Sequence, residues 1–544
     1  MNTAQFLMAA AVGLPLLMLL ACASARLRQR LPSWFALAPM PALATAIGAR
    51  GGDPLVLGES RFALHFALDL PGSLLLGTAA LLWIFGGIFA FHYLRGRKNI
   101  DGFVVCWFMA MTGCMGVFLA ADLIGFYLLL AVLSVGASGL VLQGAGPDAR
   151  YAGALYLGVA LLAEAFLLAG LILLAQATPG GSLLIRDAAA ALPHSSSREM
   201  TLLLLLVGLG MKAGLVPMHF WMPYAYGAAP TPAAAVLSGA VVKASVIALL
   251  RLLPFDNAWP HIGIPLAALG MFGAFYGVAI GITQSTPKIV LAYSSVSQMG
   301  FLIAVIGMGL AAGDPGTAAA AAYYAAHHLL VKGTLFLTVG AVAMSGAGSL
   351  RLVRVPTALI ALGLGGLPLT GGALAKYATK ELLGGGLAGS MAVASSAATT
   401  LLMLHFMRRL NAMPNTDSDA RTPVPLTGAW LAMVLASLVA PWVLYLDIPV
   451  GTLSGALAPA ALWSALWPVI AGVALFIGWN RWGASMPSVP AGDVGSLLHG
   501  LHRVWREAGH VTGLADALVR RWSVSCLTLL LAVLLFGGLL MVAG

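Results

Sequence analysis

Five lysines of this sequence lie within long apolar stretches, an unusual setting for a charged amine. The chain contains seven lysines in all, and these five are Lys212, Lys243, Lys332, Lys376 and Lys380. A charged side chain at the centre of a bilayer costs at least about 2.5–3.5 kcal/mol, so such residues usually line a polar path. The sequence therefore favours ion or proton movement through a membrane.

Three of these lysines have a titratable neighbour one helical turn away. His328 precedes Lys332 by four residues, so both project from one face of a helix, and a neutral imidazole can accept or pass a proton. His327 points elsewhere and is interpreted as a packing residue. Lys376 and Lys380 also share a face, although Lys380 could instead extend to the membrane interface and pair with Glu381.

Carboxylates are scarce, since Asp and Glu together number 18. Only Glu164 falls clearly in the middle of an apolar stretch, and Lys212 in the next stretch is its natural partner. Changes in their separation would then move a proton. A purely structural salt bridge is the alternative.

Two of the apolar stretches are interrupted. The stretch at 200–226 contains Lys212 and then Pro217, and the stretch at 356–384 contains Pro368 among glycines, followed by Lys376. Proline removes a backbone hydrogen bond, and irregular backbone at membrane depth is tolerated only beside protein or water. Paired interrupted helices predict a site near the midplane of an inverted-repeat transporter, although the prolines could also kink helices for packing.

A run of hydroxyl and amide side chains follows Pro287 in the stretch 288–312. Ser294, Ser297 and Gln298 could support a hydrated path through the membrane. They could equally hold helices together by interhelical hydrogen bonds.

The composition defines the class of protein. Of 544 residues, 60% are hydrophobic and 8% are charged, against roughly 25% charged residues in soluble domains. The mean hydropathy is +0.95. The sequence predicts an all-α polytopic membrane protein, and the four scattered cysteines predict neither a metal site nor a cofactor.

About sixteen transmembrane helices are predicted, the second at 32–50 and the last at 523–543, with a short surface strand within 62–69. Most basic loops follow odd-numbered helices, so the net charge of +10 reflects membrane orientation and not nucleic-acid binding. The positive-inside rule then places both termini on the outer side of a bacterial inner membrane. Residues 493–522 are predicted to form an amphipathic surface helix.

Several motifs resemble those of antiporter-like membrane subunits. They include Lys212-Ala-Gly-Leu-Val-Pro-Met-His219-Phe-Trp-Met-Pro223, Ser238-Gly-Ala-Val-Val-Lys243 and His328-Leu-Leu-Val-Lys332. That family includes proton-pumping membrane subunits of respiratory complex I, those of energy-converting hydrogenases and formate hydrogenlyases, and multisubunit sodium/proton antiporters. The resemblance covers roughly residues 60–410.

The resemblance implies a 14-helix core with two inverted five-helix repeats and interrupted helices 7 and 12. Lys212 resembles the central lysine of the first half-channel and Lys376 that of the second. Lys243, His328 and Lys332 resemble the connecting groups. The implied organisation is helices 1–3 at 1–101, the first repeat at 102–253, the second at 254–410, helices 14–15 at 411–492, the surface helix at 493–522 and an anchor helix at 523–544.

One residue departs from the family pattern. The family usually carries a glutamate in the fifth helix where this chain has Ala131, and Glu164 on the sixth helix could replace it. The leading hypothesis is a non-catalytic, proton-translocating subunit of an NADH-quinone oxidoreductase-like or hydrogenase-like complex, bound to other membrane and peripheral subunits. The alternatives are a cation/proton antiporter or inorganic-carbon uptake subunit, and an inactive membrane scaffold.

Overall fold

The described part of the chain is almost entirely helical in this computed structural model. It comprises residues 1–58, 62–97, 99–344, 350–413 and 424–482, together with 489, 490 and 492. Nearly all of these residues belong to the first of two compact units, Met1–Val489. The surface helix expected at 493–522 and the anchor helix expected at 523–544 lie outside the described residues.

The first part of the chain contains most of the short elements. Its α-helices are α1 (Thr3–Ala21), α2 (Ala25–Arg28), α3 (Met40–Gly48), α4 (Leu70–Tyr93), α5 (Asp101–Leu119), α6 (Leu123–Leu142), α7 (Pro147–Ala177), α8 (Ile185–Ala191), α9 (Arg198–Ala213), α10 (Trp221–Ala228), α11 (Thr231–Val236) and α12 (Lys243–Leu252). A π-helix at Leu237–Val241 joins the last two, and 3₁₀ turns lie at Leu31–Trp34, Pro179–Gly181 and Leu192–His194.

The rest of the described chain is built mainly from long helices. They are α13 (Pro260–Gly281), α14 (Pro287–Ala312), α15 (Thr317–Ala343), α16 (Leu350–Gly365), α17 (Gly371–Leu383), α18 (Leu387–Asn411), α19 (Val424–Tyr445), α20 (Leu453–Ala456) and α21 (Pro459–Trp482).

Twelve helices among the described residues are long and apolar enough to cross a membrane, judged by length and composition. Helices α14 and α15 are almost wholly buried, so they form the centre of the bundle. The prediction of an all-α polytopic membrane protein is confirmed. The predicted spans 200–226 and 356–384 are each divided into two shorter helices, α9 with α10 and α16 with α17.

The second predicted span, 32–50, is wrong as an uninterrupted helix. The chain forms a 3₁₀ turn at Leu31–Trp34 and then the nine-residue α3. Nine residues rise only about 14 Å, which is half of a hydrocarbon core of about 30 Å. Pro32, Pro39 and Pro41 supply no backbone donors, which explains the break.

A small antiparallel ribbon precedes α4. Strand β1 (Leu55–Leu57) pairs with β2 (Leu64–Phe66), with Val56 opposite His65. The second strand lies within the segment 62–69, whose weak alternation predicts a strand. The backbone N–H of His65 donates to Asp122 Oδ2 at 2.7 Å, which fixes the ribbon to the start of α6.

Close approach of α13 and α14 depends on small residues. A Cβ atom at Gly277 on α13 would lie 2.6 Å from the backbone nitrogen of Ser297 on α14. No side chain fits there, so the two backbones can touch, as is common in membrane bundles. This contact fixes α14, whose other faces carry several polar groups of the site.

Candidate functional site

The first break in a spanning helix presents Lys212 near a helix C-terminus. Helix α9 ends at Ala213, Gly214 adopts a left-handed conformation (φ 74°), and the chain becomes helical again at Trp221. The indole nitrogen of Trp221 donates to the carbonyl of Met211 at 3.0 Å, which satisfies one carbonyl freed by the break. Pro217 lies within the broken segment. The negative end of the α9 dipole favours a cation at Lys212.

Lys212 makes two short contacts with neighbouring helices. Its Nζ atom lies 2.8 Å from Glu164 Oε1 on α7 and donates to Ser134 Oγ on α6 at 2.7 Å. The glutamate side chain is 2% exposed and the lysine side chain 11%. The ion pair expected between these residues is therefore present, and it is buried.

A glycine allows this pairing. A Cβ atom at Gly208 on α9 would lie 2.7 Å from the carbonyl oxygen of Ala163, the residue before Glu164. The absence of a side chain lets α9 approach α7 closely at this depth. Because α7 has 31 residues and rises about 46 Å, Glu164 lies near the middle of a helix longer than the bilayer core.

A small cavity adjoins Lys212 and Ser134. Its volume is about 30 Å³, and Ser245 and Val241 line its opposite side, toward α12. A polar cavity needs about 10–15 Å³ to hold one water. The cavity is therefore large enough for hydration between the first break and the centre of the bundle.

The centre of the bundle is occupied by Lys243 and His328. Lys243 follows the π-helix, a geometry that frequently marks functional sites, and its Nζ atom lies 2.7 Å from His328 Nδ1 on α15. Both side chains are buried. In this contact one nitrogen donates and the other accepts, because a hydrogen bond between an amine and an imidazole requires one donor and one acceptor.

Two serines connect this pair with the next lysine. Ser238 Oγ lies 2.9 Å from Ser295 Oγ on α14, and the carbonyl of Ser238 accepts from Lys243 Nζ at 3.3 Å. Ser295 donates to the carbonyl of Leu291, which also accepts from Lys332 Nζ at 2.7 Å. The expected grouping of Lys243, His328 and Lys332 thus exists around α14 and α15.

Tyr324 continues the polar face of α15 beyond His328. Its hydroxyl donates to Gln298 Oε1 at 2.6 Å, and Gln298 Nε2 donates to Thr399 Oγ1 on α18 at 3.0 Å. Ser396 lies one helical turn before Thr399. The side chain of Gln298, which the sequence predicts to support a path, therefore links α15 with α18.

The second break presents Lys376. Helix α16 ends at Gly365, positive φ values follow at Gly366 (102°) and Leu369 (59°), and Pro368 lies between them. Lys376 Nζ donates to the carbonyl of Gly365 at 2.6 Å and to Ser396 Oγ at 2.7 Å. At both breaks, a lysine ammonium lies at the C-terminal end of a half-helix.

His327 occupies a different position from its neighbour. Its ring contacts the backbone where α17 begins, since a Cβ atom at Gly371 would lie 2.8 Å from His327 Cδ2. It is buried beside the second break, whereas His328 faces Lys243. The interpretation of His327 as a packing residue agrees with this contact, although the contact lies next to the Lys376 site.

The other residues predicted to support a path, which include Lys380, His219, Ser294 and Ser297, lie apart from the contacts described so far. Lys380 is exposed. The His219 ring lies 5.1 Å from that of Tyr276 and is buried. Ser294 and Ser297 on α14 are buried, and their Oγ atoms have no hydrogen-bond partner among the described residues. Neither serine joins the chain of contacts.

Sequence reasoning missed Ser134, Tyr324, Thr399 and Ser396 as site residues. Tyr324 lies four residues before His328, so helical spacing alone was a signal for it. Ser134, Thr399 and Ser396 gave no such signal. Serine and threonine are common in membrane helices, and only contacts between helices distinguish these three.

The chain belongs to the family described as NADH:quinone oxidoreductase/Mrp antiporter, TM, whose sequence model matches residues 120–403. That range contains both breaks and every buried lysine described above.

Relatives of several kinds share this sequence pattern. The NADH-quinone oxidoreductase subunit N of Desulforudis audaxviator (strain MP104C) is 30% identical over 443 residues, which are 74% of this chain and 87% of that protein. A Na(+)/H(+) antiporter subunit of Alkalihalophilus pseudofirmus is 27% identical, over 55% of this chain and 61% of that protein. Hydrogenase-4 component B of Escherichia coli (strain K12) is 25% identical, over 51% and 43% respectively.

Two solved structures have the same fold. The Mrp complex from Dietzia sp. DQ12-45-1b contains a chain with a TM-score of 0.74 and 22% identity, matched over 100% of this chain and 63% of that one. The membrane-bound sulfane sulfur reductase, an archaeal respiratory membrane complex, contains one with a TM-score of 0.70 and 20% identity, over 98% and 100%.

Proposed function

We propose that this protein is a proton-translocating subunit of a multisubunit, energy-converting membrane complex. Its own residues carry no redox chemistry in this proposal. It moves protons through Lys212, Glu164, Lys243, His328, Lys332 and Lys376, while partner subunits supply the driving reaction. The names of the relatives, which include complex I, hydrogenase and antiporter subunits, support this assignment of class.

The proposal depends on one observation above all, the polar line between the two broken helices. From Lys212 the line enters the small cavity, which is also lined by Val242 and Ala244, the two neighbours of Lys243, and Lys243 contacts His328. It continues through Ser238 and Ser295 to Lys332. On α15, Tyr324 donates to Gln298, which donates to Thr399 on α18. One turn from Thr399, Ser396 accepts from Lys376.

Buried polar atoms along this line have capacity for further bonds. Glu164 Oε2 and His328 Nε2 have no hydrogen-bond partner among the described residues. An unsatisfied buried polar atom costs about 1–3 kcal/mol, so internal water is the natural partner at these points. Such water would connect groups that do not touch directly.

The organisation of the chain forms part of the same proposal. The range 102–253, containing the first break, acts as one inverted repeat, and 254–410, containing the second, acts as the other. Residues 1–101 and 411–492 flank this core. Both termini face the periplasm, as the basic loops favour, and peripheral subunits bind on the cytoplasmic side.

Proton flux into liposomes tests the proposal. The full-length protein, or the complex that copurifies with it, is reconstituted with a pH-sensitive dye inside and driven by a potassium diffusion potential. We expect Lys212→Ala to lower proton flux at least about tenfold, because positioned proton-transfer groups typically contribute 10²–10⁴-fold.

The substitution Lys212→Arg distinguishes a loss of proton transfer from a loss of folding. Arginine keeps the positive charge and the ion pair but does not release its proton. We expect Lys212→Arg to fold and to lose flux. Flux that neither substitution changes, and that does not exceed the leak of protein-free liposomes, would instead support the inactive scaffold.

A second candidate is a cation/proton antiporter, which the resemblance to antiporter subunits favours. The same liposomes distinguish it when an outward sodium gradient replaces the electrical potential. Sodium-driven acidification that Lys212→Arg abolishes would favour antiport. An inorganic-carbon uptake subunit would be identified by a single soluble zinc protein as its copurifying partner.

A further inference from the structure

A large cavity lies beside the second break, at the end of the polar line, where Lys376 and Ser396 both line it. Its volume is about 350 Å³, within the range of roughly 300–1,000 Å³ that is usual for ligand pockets. Its walls come mainly from α17, the first half of α18 and α21, with contributions from α14, the end of α16 and α19. It is more than ten times larger than the cavity beside Lys212.

The charges that line this cavity have one sign. Lys376 and Lys380 both contribute to its surface, and no aspartate or glutamate is among the residues lining it. Glu381 is exposed on α17 but does not line the cavity. Two ammonium groups without a local counterion repel one another, and a bound anion would remove that cost.

Both lysines have donors available for a ligand. An ammonium has three donors, and the bonds to Gly365 and Ser396 account for two of those of Lys376. Lys380 is exposed at the same surface. The first turn of the 25-residue helix α18 also lines the cavity at Gly389 and Ser390, which adds the positive end of a helix dipole.

The remaining walls are apolar and aromatic. Trp442 and Trp467 line the cavity with Leu374 and Leu462, and Trp467 is 44% exposed. Tryptophan suits the boundary between headgroups and hydrocarbon. A ligand that fits this site has a compact anionic end for the lysines and an apolar part for the opposite wall.

We propose that this cavity is a binding site for a phosphate-bearing anion, held between Lys376 and Lys380. The apolar wall favours the headgroup of an anionic phospholipid, and free phosphate is the other source of the same chemistry. This site adjoins the end of the polar line, because Lys376 and Ser396 belong to both. Its occupancy would place a counterion beside the last lysine of the line.

Lipid retention measures the site directly. The full-length protein is purified from nanodiscs of phosphatidylcholine containing a minor fraction of phosphatidylglycerol, and retained lipid is counted by native mass spectrometry. We expect the wild type to retain phosphatidylglycerol selectively. Lys380→Gln should weaken retention about tenfold, which is the loss of one charge-assisted contact. Arg354→Gln removes an exposed cation outside the cavity and should change nothing.

A variant with a larger side chain narrows the cavity and keeps both charges. Ala465 lines the apolar wall, so Ala465→Phe should abolish selective retention in a folded protein. If phosphatidylglycerol is not retained but inorganic phosphate binds by calorimetry, with Lys380→Gln weakening it, the ligand is a free anion. Equal retention by the wild type, Lys380→Gln and Ala465→Phe, with no phosphate binding, would overturn the proposal.

Discussion

Lys212 Nζ lies 2.8 Å from Glu164 Oε1, and the carboxylate comes from α7 and not from α6. On α6, Ala131 stands where the resemblance implies a glutamate. Ser134, three residues later, is uncharged and accepts a hydrogen bond from Lys212. The contact between Gly208 and the α7 backbone brings the two charged helices together. The ion pair of Lys212 is thus made with a carboxylate on α7.

The position of Glu164 on α7, with Ala131 on α6, suggests a rescue experiment. Glu164→Ala leaves the buried ammonium of Lys212 without a counterion, so we expect proton flux to fall at least about tenfold. Adding Ala131→Glu returns a carboxylate to α6, within one turn of Ser134. We expect the double variant to recover a substantial part of the flux in reconstituted liposomes.

Glu199→Gln is the matched control for this experiment. Its side chain is 70% exposed at the start of α9, so its removal should leave flux unchanged. If the double variant folds but stays as inactive as Glu164→Ala, the carboxylate must come from α7 specifically. Full activity of Glu164→Ala would remove this residue from the path.

Lys376 and Lys380 differ in their surroundings although they share a helix face. Lys376 is bonded to Gly365 and Ser396 at the break, whereas Lys380 is exposed to the cavity. We therefore expect Lys376→Ala to lower proton flux at least about tenfold and Lys380→Ala to lower it by less than about threefold. Equal loss in both variants would contradict this order.

Tyr324 provides a direct test of the connection between the two breaks. Tyr324→Phe removes one hydroxyl from the bond to Gln298 and keeps the ring. We expect proton flux to fall several-fold, since Gln298 then loses its link with the α15 face. The measurement is initial flux at fixed membrane potential.

Tyr323 offers a matched comparison on the same helix. Its hydroxyl also donates a buried hydrogen bond, to the carbonyl of Pro441, but on the side of α15 that faces α19. Each lost bond should cost about 1 kcal/mol of stability. Flux should therefore fall in Tyr324→Phe and not in Tyr323→Phe, while both lose similar thermal stability.

Arg251, in the last turn of α12, joins the ends of three helices. Its guanidinium group donates to both carboxylate oxygens of Asp69, at 2.9 and 2.8 Å, and to the carbonyls of Phe118 and Ala120. These bonds join α4, α5 and α12. The charge of this arginine is thereby paired with a carboxylate within the protein.

Arg251→Gln should lower thermal stability without a specific loss of transport. Removal of charge-assisted bonds costs about 1.5–3 kcal/mol each, so we expect the midpoint of thermal unfolding in detergent to fall by several degrees. Arg354→Gln, on an exposed side chain, is the control. An unchanged midpoint in Arg251→Gln would show that the bonded cluster adds no stability.

Part of the site follows from local rules. A lysine and a proline occur together in two apolar stretches, which predicted both breaks. The four-residue spacing of His328 and Lys332 predicted that both lie on the same face of one helix. The prediction of one continuous helix at 32–50 was wrong because it used the apolar content of the segment and not the positions of its three prolines. Windowed hydropathy measures solvent preference, while backbone hydrogen bonding decides whether a helix continues.

The sequence alone determined that the chain crosses a membrane, that it carries amines inside it, and that two of its helices are broken. These properties depend on composition and local backbone chemistry. Only the tertiary structure decided which groups meet: Ser134 with Lys212, Lys243 with His328, and Ser396 with Lys376. Such contacts depend on how helices far apart in sequence rotate and pack, and small residues such as Gly208 set that packing without any charge or polarity of their own.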